Sequence, residues 1–133
     1  MKVSALRRPA TSLAPDQVFP AACPSRTVLD HVSSKWGVLI LVALADGPQR
    51  WSELRRRAQG ISEKMLAQTL KVLDADGFIH RDAQAVIPPR VDYSLIGRGQ
   101  ELVSFLIPLV AWIGDHADEI VNDQAAGASV SAT

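Results

Sequence analysis

Residues 60–95 read GISEKMLAQTLKVLDADGFIHRDAQAVIPPRVDYSL, and this segment is the most informative about the fold. Ser62 is a residue type that caps the start of a helix, because its hydroxyl can accept a hydrogen bond from a free backbone N–H. Leu66, Leu70 and Leu73 then recur at helical spacing, which predicts a helix with one apolar face.

The second half of the stretch predicts a β-ribbon. Gly77 directly follows the helix, where a left-handed residue commonly ends one. Phe78–Arg81 is expected to form a strand, Pro88-Pro89 interrupts it, and Arg90–Leu95 alternates polar and apolar residues with period two. A helix followed by a small hairpin predicts a winged helix-turn-helix, so the fold class is mainly α with a β-hairpin wing.

Three more helices are predicted upstream of this stretch. Arg26–Ser33 is amphipathic, and Lys35–Ala45 is apolar nearly all round, which is typical of a central buried helix. Ser52 is expected to cap a short helix, Glu53–Ala58, with Leu54 and Ala58 pointing inward. This short helix and the one after Ser62 make the helix-turn-helix unit.

A long helix is predicted downstream, over Gly99–Val121, with Pro108 expected to kink it. It carries two apolar stripes. A single stripe would satisfy the protein's own core, so two stripes indicate a partner surface. One stripe consists of Leu102, Leu106, Leu109, Ile113 and Ile120, and the other of Val103, Ile107 and Val110. With 133 residues the chain is expected to hold one domain. We expect a flexible arm over 1–20, the winged-helix domain over 21–122 and a disordered tail over 123–133.

Charge is distributed unevenly along a chain whose formal net charge is zero. Residues 48–90 carry eight basic and five acidic side chains, net +3, whereas residues 91–133 carry one and six, net −5. The arm is basic and includes Arg7 and Arg8, which either contact phosphate or are simply solvated. Since affinity for phosphates follows local charge, a neutral total does not exclude nucleic acid.

Several classes are disfavoured by what the sequence lacks. No apolar run approaches the roughly 18–20 residues of a membrane span, and no signal peptide is evident at the N-terminus. The single cysteine, Cys23, cannot form an intramolecular disulfide, which fits a reducing cytoplasm. We therefore expect a cytoplasmic, nucleoid-associated protein that has no membrane partner.

An ordered series of residues over about 23–120 resembles the HxlR-type winged-helix regulators of bacteria. The resemblance implies a homodimeric DNA-binding transcriptional regulator, paired through its terminal helices. In some members, the cysteine that Cys23 matches senses electrophiles or oxidants. The residues that carry the resemblance are Cys23-Pro24, Lys35-Trp36, Leu39-Ile40-Leu41, Gly47, Arg50-Trp51-Ser52-Glu53-Leu54, Gly60-Ile61-Ser62, Met65-Leu66, Leu70, Leu73, Asp76-Gly77, Pro88-Pro89-Arg90-Val91, Tyr93-Ser94-Leu95, Gly99 and Trp112.

The chain departs from the family pattern at four positions. Ser34 stands where the family usually has Gly, Trp51 where it has Phe, and Asp92 where it has Glu. Ile96 replaces a capping Thr before the last long helix, and Gly97 is a weaker substitute. None of these positions belongs to the expected DNA-binding face.

That DNA-binding face is expected on the helix after Ser62. Lys64, Gln68 and Lys71 share one helical face; Gln can pair with adenine, and Lys with guanine or phosphate. The alternative is a merely solvated helix face. Ser62 itself can present its hydroxyl or N–H to a phosphate.

Arginines flank this face on both sides. Arg55 and Arg56 are candidates for phosphate contacts, although Arg55, Arg56 and Arg57 cannot all face one groove because a helix rotates about 100° per residue. Arg81 and Arg90 flank the wing and can reach the backbone of the minor groove. Arg50 either contacts the backbone of the minor groove in the same way or pairs with a carboxylate.

The expected dimer interface combines the first and last helices, in line with the resemblance. A second copy would present its recognition helix about 34 Å away, so the operator would be an inverted repeat. The residues assigned to the interface are Val28, Leu29, Val32, Leu102, Leu106, Leu109, Trp112 and Ile113.

Cys23 is the one position where covalent chemistry is plausible. It directly precedes Pro24, which suits the first turn of a helix, and Arg26 is close in sequence. Thiols near a helix N-terminus and a cation are more often reactive thiolates. The alternative is a cysteine that only packs.

Other functions have weaker support. His116 lies beside Asp115, Asp118 and Glu119, but these acidic residues lack a recognisable ligand spacing, so no metal is expected. No cofactor is expected, although the three tryptophans could line a pocket for a small effector. No catalytic arrangement is evident, so an enzyme is not expected, and a DNA-free winged-helix adaptor is the main alternative to a regulator.

Overall fold

The computed structural model describes residues 18–132. The arm expected over 1–20 therefore lies outside the described residues except for its last three positions. The elements run in the order α1 (Pro24–Ser33), α2 (Lys35–Leu44), β1 (Gln49–Arg50), α3 (Trp51–Arg57), α4 (Glu63–Ala75), β2 (Ile79–Gln84), β3 (Arg90–Leu95) and α5 (Gly97–Ala132).

The predicted helix-turn-helix core is confirmed. Leu66 and Leu73 of α4 are fully buried against Ile40 and Leu41 of α2, together with Leu54 of α3. Apolar side chains from three helices thus meet in one cluster, and burial of such side chains is the main source of folding free energy. This packing fixes α4 with its other face toward solvent.

The wing has three strands rather than the two that were predicted. β3 is the central strand, paired antiparallel with both β1 and β2. Gln49 of β1 lies opposite Tyr93, and the buried Gln49 amide donates to the carbonyl of Ala43. A strand of two residues has no measurable periodicity, so the sequence pattern could not reveal β1. β2 begins one residue later and ends three residues later than predicted.

The start of α3 differs from the prediction. The helix begins at Trp51 and its N-cap is Arg50, so the assignment of Ser52 as the cap is wrong. Glu53 explains the shift, because its carboxylate Oε1 accepts a hydrogen bond of 2.9 Å from the backbone N–H of Arg50. A carboxylate three residues into a helix satisfies a free donor in this way, as it does in a capping box.

Ser34, a departure from the family pattern, has a structural role at the junction of α1 and α2. Its Oγ accepts a hydrogen bond of 3.0 Å from the backbone N–H of Gly37, which caps α2. The two helices approach so closely that a Cβ on Gly37 would overlap the carbonyl of His31.

Two contacts hold the C-terminal end of α4. His31 Nδ1 of α1 lies 2.6 Å from Asp76 Oδ2, and the pair is partly buried. The guanidinium of Arg98 donates to the carbonyl of Asp76 at 3.1 Å. Gly77 follows with φ +80°, which confirms the predicted left-handed position. The end of α4 is therefore attached to both α1 and α5.

Helix α5 is longer than predicted. It begins at Gly97, where the carbonyl of Ile96 accepts hydrogen bonds from the first turn, and it continues to Ala132. The prediction of disorder over 123–133 is therefore wrong for residues 123–132. Alanine is the strongest helix former, so the alanines at 125, 126 and 128 favour continuing the helix even though the side chains over 123–128 are exposed.

Candidate nucleic-acid interface

The outer face of α4, formed by Lys64, Gln68 and Lys71, is exposed to solvent. It lies directly opposite the buried leucines, because four- and three-residue steps keep these polar side chains on one side of the helix. Each of the three side chains can donate hydrogen bonds, and none has a large apolar surface.

Ser62 is the N-cap of α4, as predicted. Its Oγ accepts a hydrogen bond of 3.1 Å from the backbone N–H of Met65. Since the hydroxyl oxygen is engaged in the cap, the groups left for a phosphate are its hydroxyl hydrogen and the other free N–H groups of the first turn. Ser62 shares a shallow groove with Arg55 and Arg56, so the turn brings these three predicted residues together.

The three arginines of α3 have different surroundings. Arg57 donates to Asp46 Oδ2 at 2.6 Å and to the carbonyl of Ala43 at 3.2 Å, which ties α3 to the end of α2. Arg55 lies 3.3 Å from Glu63 Oε1, and both side chains are largely exposed. Arg56 is exposed and makes no ion pair within residues 18–128. Arg57 is therefore structural, which agrees with the expectation that the three cannot act together.

The wing arginines are also distinct from one another. Arg90 Nε lies 3.0 Å from Asp92 Oδ1, while Gln84 Nε2 donates to Asp92 Oδ2 at 2.8 Å. Arg81 is exposed and lines a cleft with Lys71 between α4 and the sheet. The sheet thus places one wing cation beside the outer face of α4.

Arg50 lies beside Arg90, lining the same groove at the wing. Its backbone N–H bonds Glu53, but its side chain is exposed. From the sequence, Arg50 could either contact the DNA backbone or pair with a carboxylate. The choice stayed open because β1, the strand that places Arg50 at the wing, has no recognisable sequence pattern.

An exposed apolar surface lies on the terminal helices. Leu109, Trp112 and Ile113 of α5 are 50%, 53% and 49% exposed, and Val28 and Leu29 of α1 are both 41% exposed. Each of the two helices thus exposes a group of large apolar side chains, a feature that marks protein–protein interaction sites.

Two residues assigned to the dimer interface lie instead in the protein's own core. Val32 is 9% exposed and Leu106 is 8% exposed, and Leu102 packs against the same cluster. Leu106 is on the same face of α5 as Gly99, and Gly99 lies so close to Phe78 that a Cβ there would overlap the Phe78 carbonyl, so this face of α5 points inward. Phe105, 69% exposed, was missed because it lay on neither predicted stripe.

Cys23 is the N-cap residue of α1, with Pro24 following in the first turn, as predicted. It is partly exposed. Its backbone N–H bonds the carbonyl of Pro20 at 3.0 Å, and the Arg26 guanidinium is directed to the carbonyl of Phe19 at 3.4 Å. The thiol therefore lies at a helix N-terminus, whereas the nearby cation bonds a backbone carbonyl.

The tryptophans do not enclose a common pocket in the described part of the chain. Trp51 lines the cleft beside Lys71, Trp36 lies near Gly60, and Trp112 stacks on His116 at the surface of α5, with ring centroids 4.2 Å apart. The idea of a shared aromatic effector pocket is therefore wrong for a single copy of this chain.

Two further features, a cluster of metal ligands and a single membrane-spanning helix, do not occur within the described residues. No group of three or more His, Cys, Asp or Glu residues is arranged to hold a metal ion. No single helix is long and apolar enough to cross a membrane; α1 and α2 together reach the required length and composition, but they are bent by 71°, and half of α2 is core.

A three-helix core, a helix-turn-helix with a polar outer face and a three-stranded wing define a winged helix-turn-helix protein. The model of the HxlR-like helix-turn-helix family matches residues 31–121. The chain therefore belongs to this family and is a DNA-binding transcriptional regulator. The matched family and the relatives below are regulators, and no enzyme family is indicated.

Relatives and solved structures agree with this assignment. The uncharacterized HTH-type transcriptional regulator YtfH of Escherichia coli strain K12 is 50% identical over 104 residues, which is 78% of this chain and 82% of YtfH. The solved structure of the ytfH regulator of Salmonella typhimurium has a TM-score of 0.77 and 47% identity, covering 82% of this chain and 97% of that one. The redox regulator HypR in its oxidized form has a TM-score of 0.65 and 33% identity, covering 70% and 96%.

Proposed function

We propose that this regulator binds a specific double-stranded DNA operator as a homodimer and acts as a repressor or autoregulator in the bacterial nucleoid. The observation that carries the proposal is the outer face of α4, where Lys64, Gln68 and Lys71 lie exposed and opposite a fully buried leucine face. An α-helix fits the major groove, and these side chains match base edges and phosphates there.

The flanking cations support the same docking. Arg56 lies before the N-terminus of α4, and Arg81 lies beside Lys71 at the other side. Arg55 is a weaker phosphate contact, since it also pairs with Glu63. Contacts from two elements to phosphates would fix the register of α4 in the groove.

The homodimer is supported by the apolar surface on α1 and α5. Leu109, Trp112 and Ile113 are half-exposed, and burying them would add to stability in proportion to the apolar area removed from water. Two copies related by a two-fold axis would present two α4 helices to successive major grooves, about 34 Å apart, and the operator would be an inverted repeat.

The base-reading role of α4 is tested with a duplex selected by the parent protein from a random-sequence library. Gln68→Ala is expected to weaken binding by roughly 1–3 kcal/mol and to relax preference at one base pair. Gln100→Ala, an exposed glutamine on α5, is the matched control and should bind like the parent. Parental affinity and selectivity in Gln68→Ala would contradict the proposed docking.

The phosphate contacts are tested through the salt dependence of binding. Lys64→Ala should weaken binding to all duplexes and reduce the slope of log K against log salt by about one, whereas Lys64→Arg should retain it. If no duplex is selected at all and the purified protein instead captures a protein partner, the adaptor alternative replaces the DNA-binding proposal.

Substitutions of Arg56 and Arg57 on α3 distinguish an effect on DNA binding from an effect on folding. Arg56→Ala should reduce the salt slope and leave the free energy of unfolding unchanged. Arg57→Ala should instead lower the free energy of unfolding by about 1 kcal/mol, a value discounted because its carboxylate partner is exposed. An unchanged salt slope in Arg56→Ala would remove this residue from the interface.

A covalent effector response at Cys23 is the finer part of the proposal. The thiol lies at the N-cap of α1, the helix that we place in the dimer interface, and HypR, a structural neighbour, is named a redox regulator. A group added to the thiol could shift the two α4 helices out of register with the half-sites.

The test compares Cys23→Ser with the parent, each with and without a quinone or a peroxide. Sensing requires that treatment change the DNA affinity of the parent and leave the variant unresponsive. The same response in both proteins would leave a non-covalent small-molecule effector, or constitutive repression, as the better account.

A further inference from the structure

A cleft of about 230 Å³ lies between α4 and the face of the sheet that packs toward it. Trp51 forms an aromatic wall, and Ala67 and Leu70 of α4 add apolar surface. Tyr93 of the central strand and three charged side chains complete the lining. An apolar cavity of about 150 Å³ is enough to admit benzene, so this cleft has room for a small ligand with one aromatic ring.

Tyr93 brings an unpartnered hydroxyl to this cleft. The residue is only 7% exposed, yet its hydroxyl makes no hydrogen bond to any group within residues 18–128. In that range, Gln49 Oε1 is the one fully buried side-chain N or O atom without a partner, so the Tyr93 hydroxyl keeps access to the cleft that the residue lines. A buried tyrosine hydroxyl usually has a partner, and it can both donate and accept. It is therefore available to a ligand.

The charged residues of the cleft are Lys71 and Asp74 of α4 and Arg81 of β2. Arg81 lies directly opposite Tyr93 in the antiparallel pair, so both side chains are on the same face of the sheet. The three charged side chains are exposed, and none of them makes an ion pair within the described part of the chain. Two cations against one carboxylate leave a net charge of +1 beside the apolar walls, which favours an anionic ligand.

We propose that this cleft binds a small effector, an aromatic carboxylate with a single ring and a hydrogen-bond donor on that ring. Arg81 and the Tyr93 hydroxyl bind the carboxylate, because a guanidinium presents donors that match its two oxygens. The indole of Trp51 packs against the ring, as aromatic pairs do in apolar clefts. Asp74 accepts a hydrogen bond from the donor on the ring. The apolar walls, the hydroxyl and the charges are thus all used by one ligand.

The regulatory consequence of this site rests on the proposed DNA binding. Lys71 and Arg81, which line the cleft, are also assigned to the DNA-binding surface. A carboxylate bound beside them removes cations that the DNA phosphates would otherwise contact, so ligand and DNA exclude each other. For exclusive binding, the apparent dissociation constant for DNA rises about elevenfold when the ligand is at ten times its own dissociation constant. The effector therefore releases the regulator from its operator.

Calorimetric titration with 4-hydroxybenzoate, without DNA, tests the site itself. We expect one molecule to bind per chain with a dissociation constant of about 1 mM or below, which is in the range for a ligand of about ten non-hydrogen atoms. Tyr93→Phe keeps the buried ring, and both Tyr93→Phe and Arg81→Gln should weaken binding roughly five- to tenfold through loss of a hydrogen bond. Arg90→Gln, on the opposite face of the ribbon, is the matched control and should bind 4-hydroxybenzoate like the parent. Absence of binding by the parent, or parental affinity in both Tyr93→Phe and Arg81→Gln, would overturn the inference.

Competition on the selected duplex tests the consequence, with inorganic phosphate at the same ionic strength as the control. 4-Hydroxybenzoate should weaken DNA binding by the parent, and Tyr93→Phe should need roughly five- to tenfold more ligand for the same effect. Equal effects of phosphate and 4-hydroxybenzoate would mean that the cleft meets only phosphates, and would overturn the inference. Normal DNA binding without ligand binding contradicts this inference alone, whereas ligand binding by a protein that selects no duplex contradicts the proposed function.

Discussion

The contrast between Leu106 and Leu109 gives the sharpest test of how α5 divides its two apolar faces. The two residues are three positions apart on one helix and are 8% and 50% exposed. Leucine-to-alanine substitution removes the same atoms at both positions. Any difference between the two variants in stability or in dimer dissociation therefore reports where each side chain packs. Leu106 belongs to the core cluster of the single chain, whereas Leu109 belongs to the surface that we assign to the dimer.

The expected magnitudes follow from these exposures. Leu106→Ala should lower the free energy of unfolding by about 2–5 kcal/mol, the range for a buried leucine replaced by alanine. Burying the exposed half of Leu109 is worth about 1 kcal/mol per copy, so about 2 kcal/mol would be lost from a symmetric dimer. Leu109→Ala should then raise the dimer dissociation constant roughly 30-fold.

Sedimentation over a wide concentration range measures dissociation, and urea unfolding at two protein concentrations measures stability. Coupling of folding to association makes stability depend on protein concentration, and this dependence should weaken in Leu109→Ala. Leu106→Val, which leaves a smaller cavity, replaces Leu106→Ala if the latter does not fold. Parent-like dissociation of Leu109→Ala, or a weaker dimer without a loss of stability in Leu106→Ala, would contradict this division of α5.

Two further predictions use matched pairs of neighbouring residues. Gly99→Ala should lower the melting temperature strongly, because the new Cβ would overlap the backbone carbonyl of Phe78, whereas Gly97→Ala has nothing within 4 Å and should melt like the parent in thermal scans. Ser34→Ala should lower the free energy of unfolding by about 1 kcal/mol through loss of the α2 cap. Ser33→Ala, at an exposed serine that makes no cap, should change stability little, and equal effects of the two serine variants in urea unfolding would contradict the capping role.

Much of the helix-turn-helix could be predicted because its signals are local. The leucine spacing of α4 fixes which side is buried, and the polar residues at the complementary positions are then exposed wherever the helix packs. Ser62 and Gly77 mark the start and end of α4 through the requirements of a single turn of backbone. Such helix-end signals depend only on neighbouring residues and not on the rest of the fold.

The misassignments have a different origin, because they depend on contacts between distant residues. The periodicity of α5 predicted two apolar stripes, with Leu106 and Leu109 on the same one, but the close approach of Gly99 to Phe78 places Leu106 in the core while Leu109 stays half-exposed. Strand β1 exists only because Gln49 and Arg50 meet β3 more than 40 positions further along the chain.

The class of fold and the polar face of α4 could be predicted from the amino-acid sequence, since both follow from the spacing of residues within one helix and the turn that ends it. The environments of the arginines, in contrast, depend on contacts that form only when distant parts of the chain meet. Arg57 became a structural link because the end of α2 lies beside α3, and Arg50 joined the wing because β1 pairs with β3. A side chain's hydrogen-bonding partners are fixed by where the chain brings other elements, so residues of the same type can be alike in sequence and different in function.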